Sequence, residues 1–194
     1  MPLIKACLEP KMTELKRCKW CNLKNAAYVK YHDDEWGVPN FDEQYLFEML
    51  ILESFQAGLS WECVLIKREA FREAFDGFDA EKVAAYGEDK TAELQNNRDI
   101  IRNKLKINAA VNNAKVFLEI QKEYGSFGEY LKTFTGGEQI IEVSKTASAL
   151  SDALSADLVK RGMKFVGSTI IYSYLQAIGF IYSHEEECFM YKGR

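Results

Sequence analysis

The chain has 194 residues, 47% of them hydrophobic, and carries 25 Lys and Arg against 29 Asp and Glu, a net charge of −4. That length supports one substantial core or two small lobes sharing a cleft, and that composition excludes a disordered chain. The acidity gives no bulk electrostatic support to a nucleic-acid partner, so any such role must rest on local charge.

Residues 1–16 hold no apolar run of the secretory-leader type and read as a flexible extension. The five cysteines, Cys7, Cys18, Cys21, Cys63 and Cys188, are odd in number. Without a leader they argue against a disulfide framework and for a reducing cytoplasm. No apolar stretch reaches membrane-spanning length. The three prolines all lie at or before Pro39, so long helices are unopposed beyond it.

Asp42 can cap a helix through Ala57, with Leu46, Leu50, Glu53 and Ala57 on one face and Gly58 placed to stop it. Ser60 caps the next helix, whose apolar residues are Val64, Leu65, Phe71 and Phe75. Asp79 caps a short helix near Val83 to Tyr86. Asp89 to Leu94 and Arg102 to Tyr124 read as two helices with a polar turn between, and Leu105, Val111, Phe117 and Ile120 are expected on the buried side of the second. A short helix is expected around Phe127 to Phe134, and another from Ser148 to Lys160. Thr169 to Ile178 is apolar nearly all round and is expected as a central buried helix closed by Gly179. Only Gln139 to Val143 hints at a strand. The fold class is all-α.

Both histidines of the chain sit beside metal-type partners. His184 lies four residues before Cys188, and His32 follows Cys18. Cys18, His32, His184 and Cys188 would make a closed Cys2His2 zinc site with no position left for an activated water. Cys18-x2-Cys21 is itself a metal-knuckle spacing, so Cys21 could replace Cys18. Glu53 shares a helical face with leucines, where a carboxylate must find a partner or be neutral. Its helix runs into Gln56-Ala57-Gly58-Leu59-Ser60-Trp61, a glycine turn with a leucine tip and a tryptophan behind. That arrangement suits base binding, and it suits an ordinary helical corner equally. Tyr28, Tyr31, His32 and Trp36 could line a stacking pocket or form an aromatic mini-core. Arg98, Arg102, Lys104 and Lys106 cluster, as do Lys160, Arg161 and Lys164; either cluster alone reads as a solvated face. No phosphate-loop, dinucleotide or zinc-deaminase pattern is present.

Taken together, several segments resemble one family, the 3-methyladenine DNA glycosylase I family of the helix-hairpin-helix glycosylase superfamily. They are Arg17-Cys18-Lys19-Trp20, Tyr31 to Pro39, Leu46 to Leu50, Leu52-Glu53, Gln56 to Trp61, Leu150-Ser151-Asp152, Leu158 to Ile170, and His184 with Cys188. The match runs in order from Arg17 onward. It implies a single bilobed domain over 17–194, with the helix-hairpin-helix at about 89–124. It implies a structural Zn2+ snap on Cys18, His32, His184 and Cys188, which leaves Cys21 aside. It implies a base pocket of Glu53, Tyr28, Tyr31, Trp20, Trp36 and Trp61, with Glu53 catalytic. Gly58 and Leu59 would enter the DNA, and Arg102, Lys104, Lys160 and Lys164 would meet its backbone. The implied activity is monofunctional hydrolysis of the N-glycosidic bond of 3-methyladenine in double-stranded DNA, by a cytoplasmic monomer.

Two positions depart from the family pattern. Asp99 stands where a glycine usually precedes Ile-Ile-Arg-Asn; a required positive φ, or a nearby phosphate, would disfavour an Asp there. Phe55 stands where some members carry a polar residue. The rival reading is a non-catalytic zinc-stapled DNA-binding or interaction module, supported by the net acidity and by Asp99. Retention of both Glu53 and Trp61 argues against it.

Overall fold

Short polar side chains set where the helices begin. The computed structural model describes residues 15–193, so residues 1–14 of the expected extension lie outside the described residues. Lys16, expected to belong to that extension, is instead tied to the far end of the chain: its carbonyl accepts from the Phe189 N–H at 2.8 Å. Asn25 opens α1 (Ala26–Asp34), accepting from the N–H groups of Ala27 and Tyr28. The sequence reading places no helix there, because the aromatic run hides the helical period. Asp42 caps α2 (Glu43–Gln56) and Ser60 caps α3 (Trp61–Leu65). After α4 (Arg68–Ala74) come a 3-10 turn at Asp76–Phe78, α5 (Ala80–Ala84) and α6 (Glu88–Asn96). Asn103 caps α7 (Lys104–Tyr124), which stops at Gly125 with φ 88°. The order then runs α8 (Phe127–Thr135), β1 (Ile140–Ile141), α9 (Ala149–Lys160), α10 (Ser168–Ala177) and β2 (Ile181–Tyr182).

Three expectations change and one hint is borne out. The helix expected from Ser60 through Phe75 breaks at Ile66-Lys67, where Lys67 leaves helical geometry (φ −101°, ψ 2°). Its ammonium donates to the Asp99 carbonyl at 3.0 Å, and the next residue, Arg68, turns inward onto Glu48 and Glu35, both at 2.6 Å. Leu105 is 69% exposed rather than buried, because the Asn103 cap phases α7 so that Lys106 points inward instead. The strand hint near Gln139 is real: Ile140 and Ile141 pair in parallel with Ile181 and Tyr182, and α9 and α10 make the crossover that a parallel pair requires. Finally, the most enclosed helix is α2. Every residue from Leu46 to Phe55 is buried, whereas α10 leaves Ser173 and Gln176 partly open.

α2 therefore organises the molecule. It packs on α10 on one side and α7 on the other, with α3 and α8 also against it. One continuous cluster of buried apolar side chains runs from Cys18 to Cys188. α10 ends against the segment after α1. A Cβ on Gly179, which has φ 80°, would sit 2.3 Å from the backbone nitrogen of Pro39, so only glycine permits that approach. The Gln139 amide then donates to the carbonyls of Gly37 and Gly179, at 2.9 and 2.6 Å, and locks β1 onto the same seam. These contacts bring α1, the end of α2, α3 and α10 around one hollow.

Candidate active site and metal centre

That hollow is a cavity of about 280 Å³, near the lower end of small-molecule pocket sizes (roughly 300–1,000 Å³). All six expected base-pocket residues line it: Trp20, Tyr28, Tyr31, Trp36, Glu53 and Trp61. The aromatic walls hold one another. Trp20 lies 4.7 Å from Trp36, edge to face, and 5.3 Å from Tyr28; Tyr31 lies 5.2 Å from Trp61. Sequence reasoning gave no role to Ser144, Lys145, Ser173, Gln176, Ser183 and Glu185, which also meet the cavity, and it named Gln56 only as the start of the turn after α2. Ser173 and Gln176 could have been found. They are three apart in an otherwise apolar helix, which marks a polar stripe that must face something. Ser144 and Lys145 lie in a loop that offers no such signal.

Glu53 dominates the electrostatics. It is 3% exposed and its Oε2 has no hydrogen-bond partner among the described residues. Burial alone pushes its carboxyl up to about 8. The Trp61 indole N–H is also buried without a partner. Burial, and then the Glu53 charge, hold the Tyr31 hydroxyl well above its ordinary range, while burial takes Tyr28 up to about 12. An unpaired carboxylate oxygen and an unpaired N–H inside aromatic walls are costly in an empty site. A flat ligand carrying both donors and positive charge would satisfy the carboxylate. The lysine at the cavity, Lys145, is engaged with Glu142 at 2.8 Å.

Directly behind the aromatic wall, Cys18, His32, His184 and Cys188 converge. Their ligand atoms all lie within 4.8 Å of one another, and all four residues are buried. The His184 Nδ1 is 3.5 Å from both sulfurs, and the His32 Nε2 is 3.5 Å from Cys188 Sγ. Sulfur and nitrogen atoms bound at about 2.3 and 2.0 Å to one tetrahedral centre would stand about 3.5 Å apart. The outer contacts fit a metal as well. His32 Nδ1 donates to Asp33 at 2.7 Å, Arg17 clamps that carboxylate at 2.6–3.0 Å, and His184 Nε2 donates to the Trp36 carbonyl at 3.1 Å. Backbone N–H groups of Glu185 and Met190 point at Cys18 Sγ and Cys188 Sγ. Cys21 stands apart, its thiol directed to the Tyr28 carbonyl. The cluster and the cavity share a wall, since Trp36 both lines the cavity and receives the His184 bond.

Leu59, 43% exposed, tips the turn between α2 and α3, and Gly58 supplies its left-handed residue (φ 77°) with open space around it. Arg102 and Lys104 stand exposed where α7 begins, and Lys160 and Lys164 stand exposed at and beyond the end of α9; none of the four makes an ion pair among the described residues. Arg98 of the first cluster is likewise exposed and makes no ion pair among the described residues, whereas Arg161 and Lys106 are otherwise employed. Arg161 binds Asp157 and Glu123, both at 2.6 Å, and Lys106 is buried. The loop carrying Lys164 is braced on α7: Asn113 exchanges both its amide groups with the Lys164 backbone, and Asn112 donates to the Gly162 carbonyl. Asp99 does not have the positive φ that a glycine would serve; among the described non-glycine residues only Asp76, Phe78, Ser144 and Phe165 do. Phe55 is fully buried against Phe71 and does not line the cavity.

Comparison with known proteins places this geometry. The chain is 42% identical to DNA-3-methyladenine glycosylase 1 of Escherichia coli (strain K12) over 185 residues, 92% of this chain and 98% of that one. Its fold superposes on a crystal structure of 3-methyladenine DNA glycosylase I with a TM-score of 0.87 at 42% identity, covering 91% of this chain and all of that one. It also superposes on the Staphylococcus aureus 3-methyladenine DNA glycosylase I, a structure that describes 3-methyladenine recognition (TM-score 0.84, 35% identity, 89% of this chain and 96% of that one). With the model of the methyladenine glycosylase family matching residues 20–191, the chain belongs to that family.

Proposed function

We propose that this protein is a monofunctional DNA glycosylase that releases 3-methyladenine from alkylated double-stranded DNA and so starts base excision repair. The observation that carries this reading is the buried Glu53 carboxylate, unpartnered within an aromatic cavity of base size.

Methylation at N3 makes adenine a cation and weakens its N-glycosidic bond. The base leaves the stack and enters the cavity, where the aromatic walls stack on it; a cation over an aromatic face gains about 0.5–2 kcal/mol. Glu53 accepts from the base's N–H groups. The positive charge draws the Glu53 carboxyl down from about 8, so the ionised form prevails once the base is bound. The bond from C1′ to the base then breaks, and its electron pair returns to the base and cancels the cationic charge. A water oxygen bonds to C1′ and gives up a proton. Glu53 favours the charge distribution along this path and forms no bond itself. No strand cleavage by an amine is included in this reading; the lysine at the cavity, Lys145, stands in an ion pair with Glu142 at 2.8 Å.

Cys18, His32, His184 and Cys188 are proposed to hold a structural Zn2+. Four protein ligands leave no open position, so the ion supplies a cross-link rather than an activated water. The turn at Gly58-Leu59 would fill the space the base vacates. The helix-hairpin-helix of α6, residues 97–103 and α7, with Arg102, Lys104, Lys160 and Lys164, would grip the phosphates. The chain would act as a single bilobed domain from residue 17 onward, as a monomer in the cytoplasm. No helix among the described residues is long and apolar enough to cross a membrane.

The test is release of free 3-methyladenine from alkylated duplex DNA, followed by chromatography, with Glu53→Gln beside the wild type. Wild-type release with a loss of about 10²-fold or more in the variant supports the reading. A folded wild type that binds the DNA and releases nothing overturns it in favour of a binding module.

A further inference from the structure

The end of α2 is capped from an unexpected place. Beyond Gln56 the chain leaves the helix: Ala57 is extended (ψ 115°) and Gly58 is left-handed. Carbonyls at such a terminus have lost their helical donors. Leu59 N–H answers one of them, on Gln56, at 2.6 Å. Two others, on Phe55 and Ala57, converge on the ammonium of Lys106, at 2.8 and 2.6 Å. Lys106 is 7% exposed and pairs with no carboxylate among the described residues. It is the third residue of α7, and its backbone N–H is itself fixed by the Asn103 cap, with the Leu105 N–H beside it. Phe165, from the braced loop that carries Lys164, lies over the same ammonium at 5.8 Å.

A buried cation at a helix C-terminus is favourable on its own account. The placement here adds something that a cap does not need. On one side of Lys106 lie the hairpin and the Lys164 loop. On the other lie the Leu59 turn and the helix that carries Glu53. Among the described residues, the two ammonium contacts form the polar link between the start of α7 and the end of α2. The hairpin also meets the segment after α3 through Lys67 and the Asp99 carbonyl, but Lys106 is the side chain that reaches the carbonyls of the Leu59 turn itself, so a phosphate that shifts the start of α7 acts on that turn most directly through it.

We propose that Lys106 is a positioning residue that couples the grip of the hairpin on the DNA backbone to insertion of the Leu59 turn and delivery of the base to Glu53. This inference rests on the glycosylase reading above. It makes the site's two tasks separable: holding a free base needs the cavity, whereas extracting a base from DNA needs Lys106 as well.

The experiment uses the full chain and three measurements. Free 3-methyladenine binding is followed by tryptophan fluorescence. Single-turnover release is measured from alkylated duplex. Unstacking is read from a 2-aminopurine beside the lesion. Lys106→Met keeps the apolar stem and removes the charge. It is expected to bind the free base within about twofold of wild type, yet to release base from DNA at least about tenfold more slowly, with the 2-aminopurine signal reduced to match. Combined with Leu59→Ala, it should cost little beyond Leu59→Ala alone, since both act on one step. Should Lys106→Met not fold, Lys106→Arg takes its place in the cycle, with a smaller loss and the same non-additivity. Release within threefold of wild type overturns the proposal, as does an additive double variant, or loss of free-base binding in step with loss of release. A wild type that releases no base sinks the glycosylase reading instead, and the two failures are told apart by that control.

Discussion

At Glu53 the requirement of chemistry and the requirement of stability oppose each other. The native carboxyl binds its proton up to about pH 8, whereas the unfolded one gives it up near 4.5. Between those values the folded state holds more protons than the unfolded state, so stability falls as pH rises through that window. Glu53→Gln removes the titration. Thermal melts should therefore show the variant about equal to wild type near pH 5 and more stable by several degrees near pH 8.5. A variant less stable than wild type at both pH values would show that the carboxylate has a partner in the folded state. At this scale the residues alone were half legible: a lone acid among leucines, before a glycine turn and a tryptophan, suited a ligand and an ordinary corner equally, and the family resemblance supplied the base-pocket reading. Ser144 and Lys145 were not legible, since a loop residue shows no period and its position depends on packing against distant chain.

Among the elements, α7 carries the most consequence, and most of it was hidden. Arg98, Arg102, Lys104 and Lys106 read as one solvated cluster, because sequence gives spacing along a helix but not the direction of its faces. The Asn103 cap sets that phase. It leaves Arg102 and Lys104 outside and turns Lys106 onto the carbonyls of Phe55 and Ala57. The same phase exposes Leu105, the one residue of the expected buried stripe that fails. If Arg102 and Lys104 each meet a phosphate, replacing both with Ala should lower the slope of log K against log salt by about 1.8, at about 0.9 per contact. Filter binding to unmodified duplex across salt concentrations measures this. An unchanged slope would place the DNA elsewhere. Asp99, read as a weakness of the hairpin, is accommodated without a positive φ, and the Asn97 side chain accepts from its N–H at 2.9 Å.

For the molecule as a whole, the Cys18, His32, His184 and Cys188 cluster joins segments 166 residues apart. Its four residues were legible because both histidines of the chain had cysteine neighbours. Spacing left Cys18 and Cys21 open and the family resemblance chose Cys18, whereas the parallel pairing of β1 with β2 needed the fold. Elemental analysis of protein purified without chelator should find about one zinc per chain. Cys188→Ser should reduce that content and lower the melting temperature by roughly 10 °C, in line with the several kcal/mol a lost structural site removes. A metal-free wild type with an unchanged melting curve would defeat the assignment. The carbonyl that steadies His184 belongs to Trp36, so a wall of the cavity is completed by a residue made 148 positions later in the chain. At about 5–20 residues per second, a ribosome takes on the order of ten seconds or more to travel from His32 to His184. From the emergence of Leu59 until that of His184, the nascent chain carries Glu53 and Leu59 while the Trp36 carbonyl still lacks its partner. On the glycosylase reading, an unfinished copy lacks a completed base pocket and gains one only once His184 has emerged.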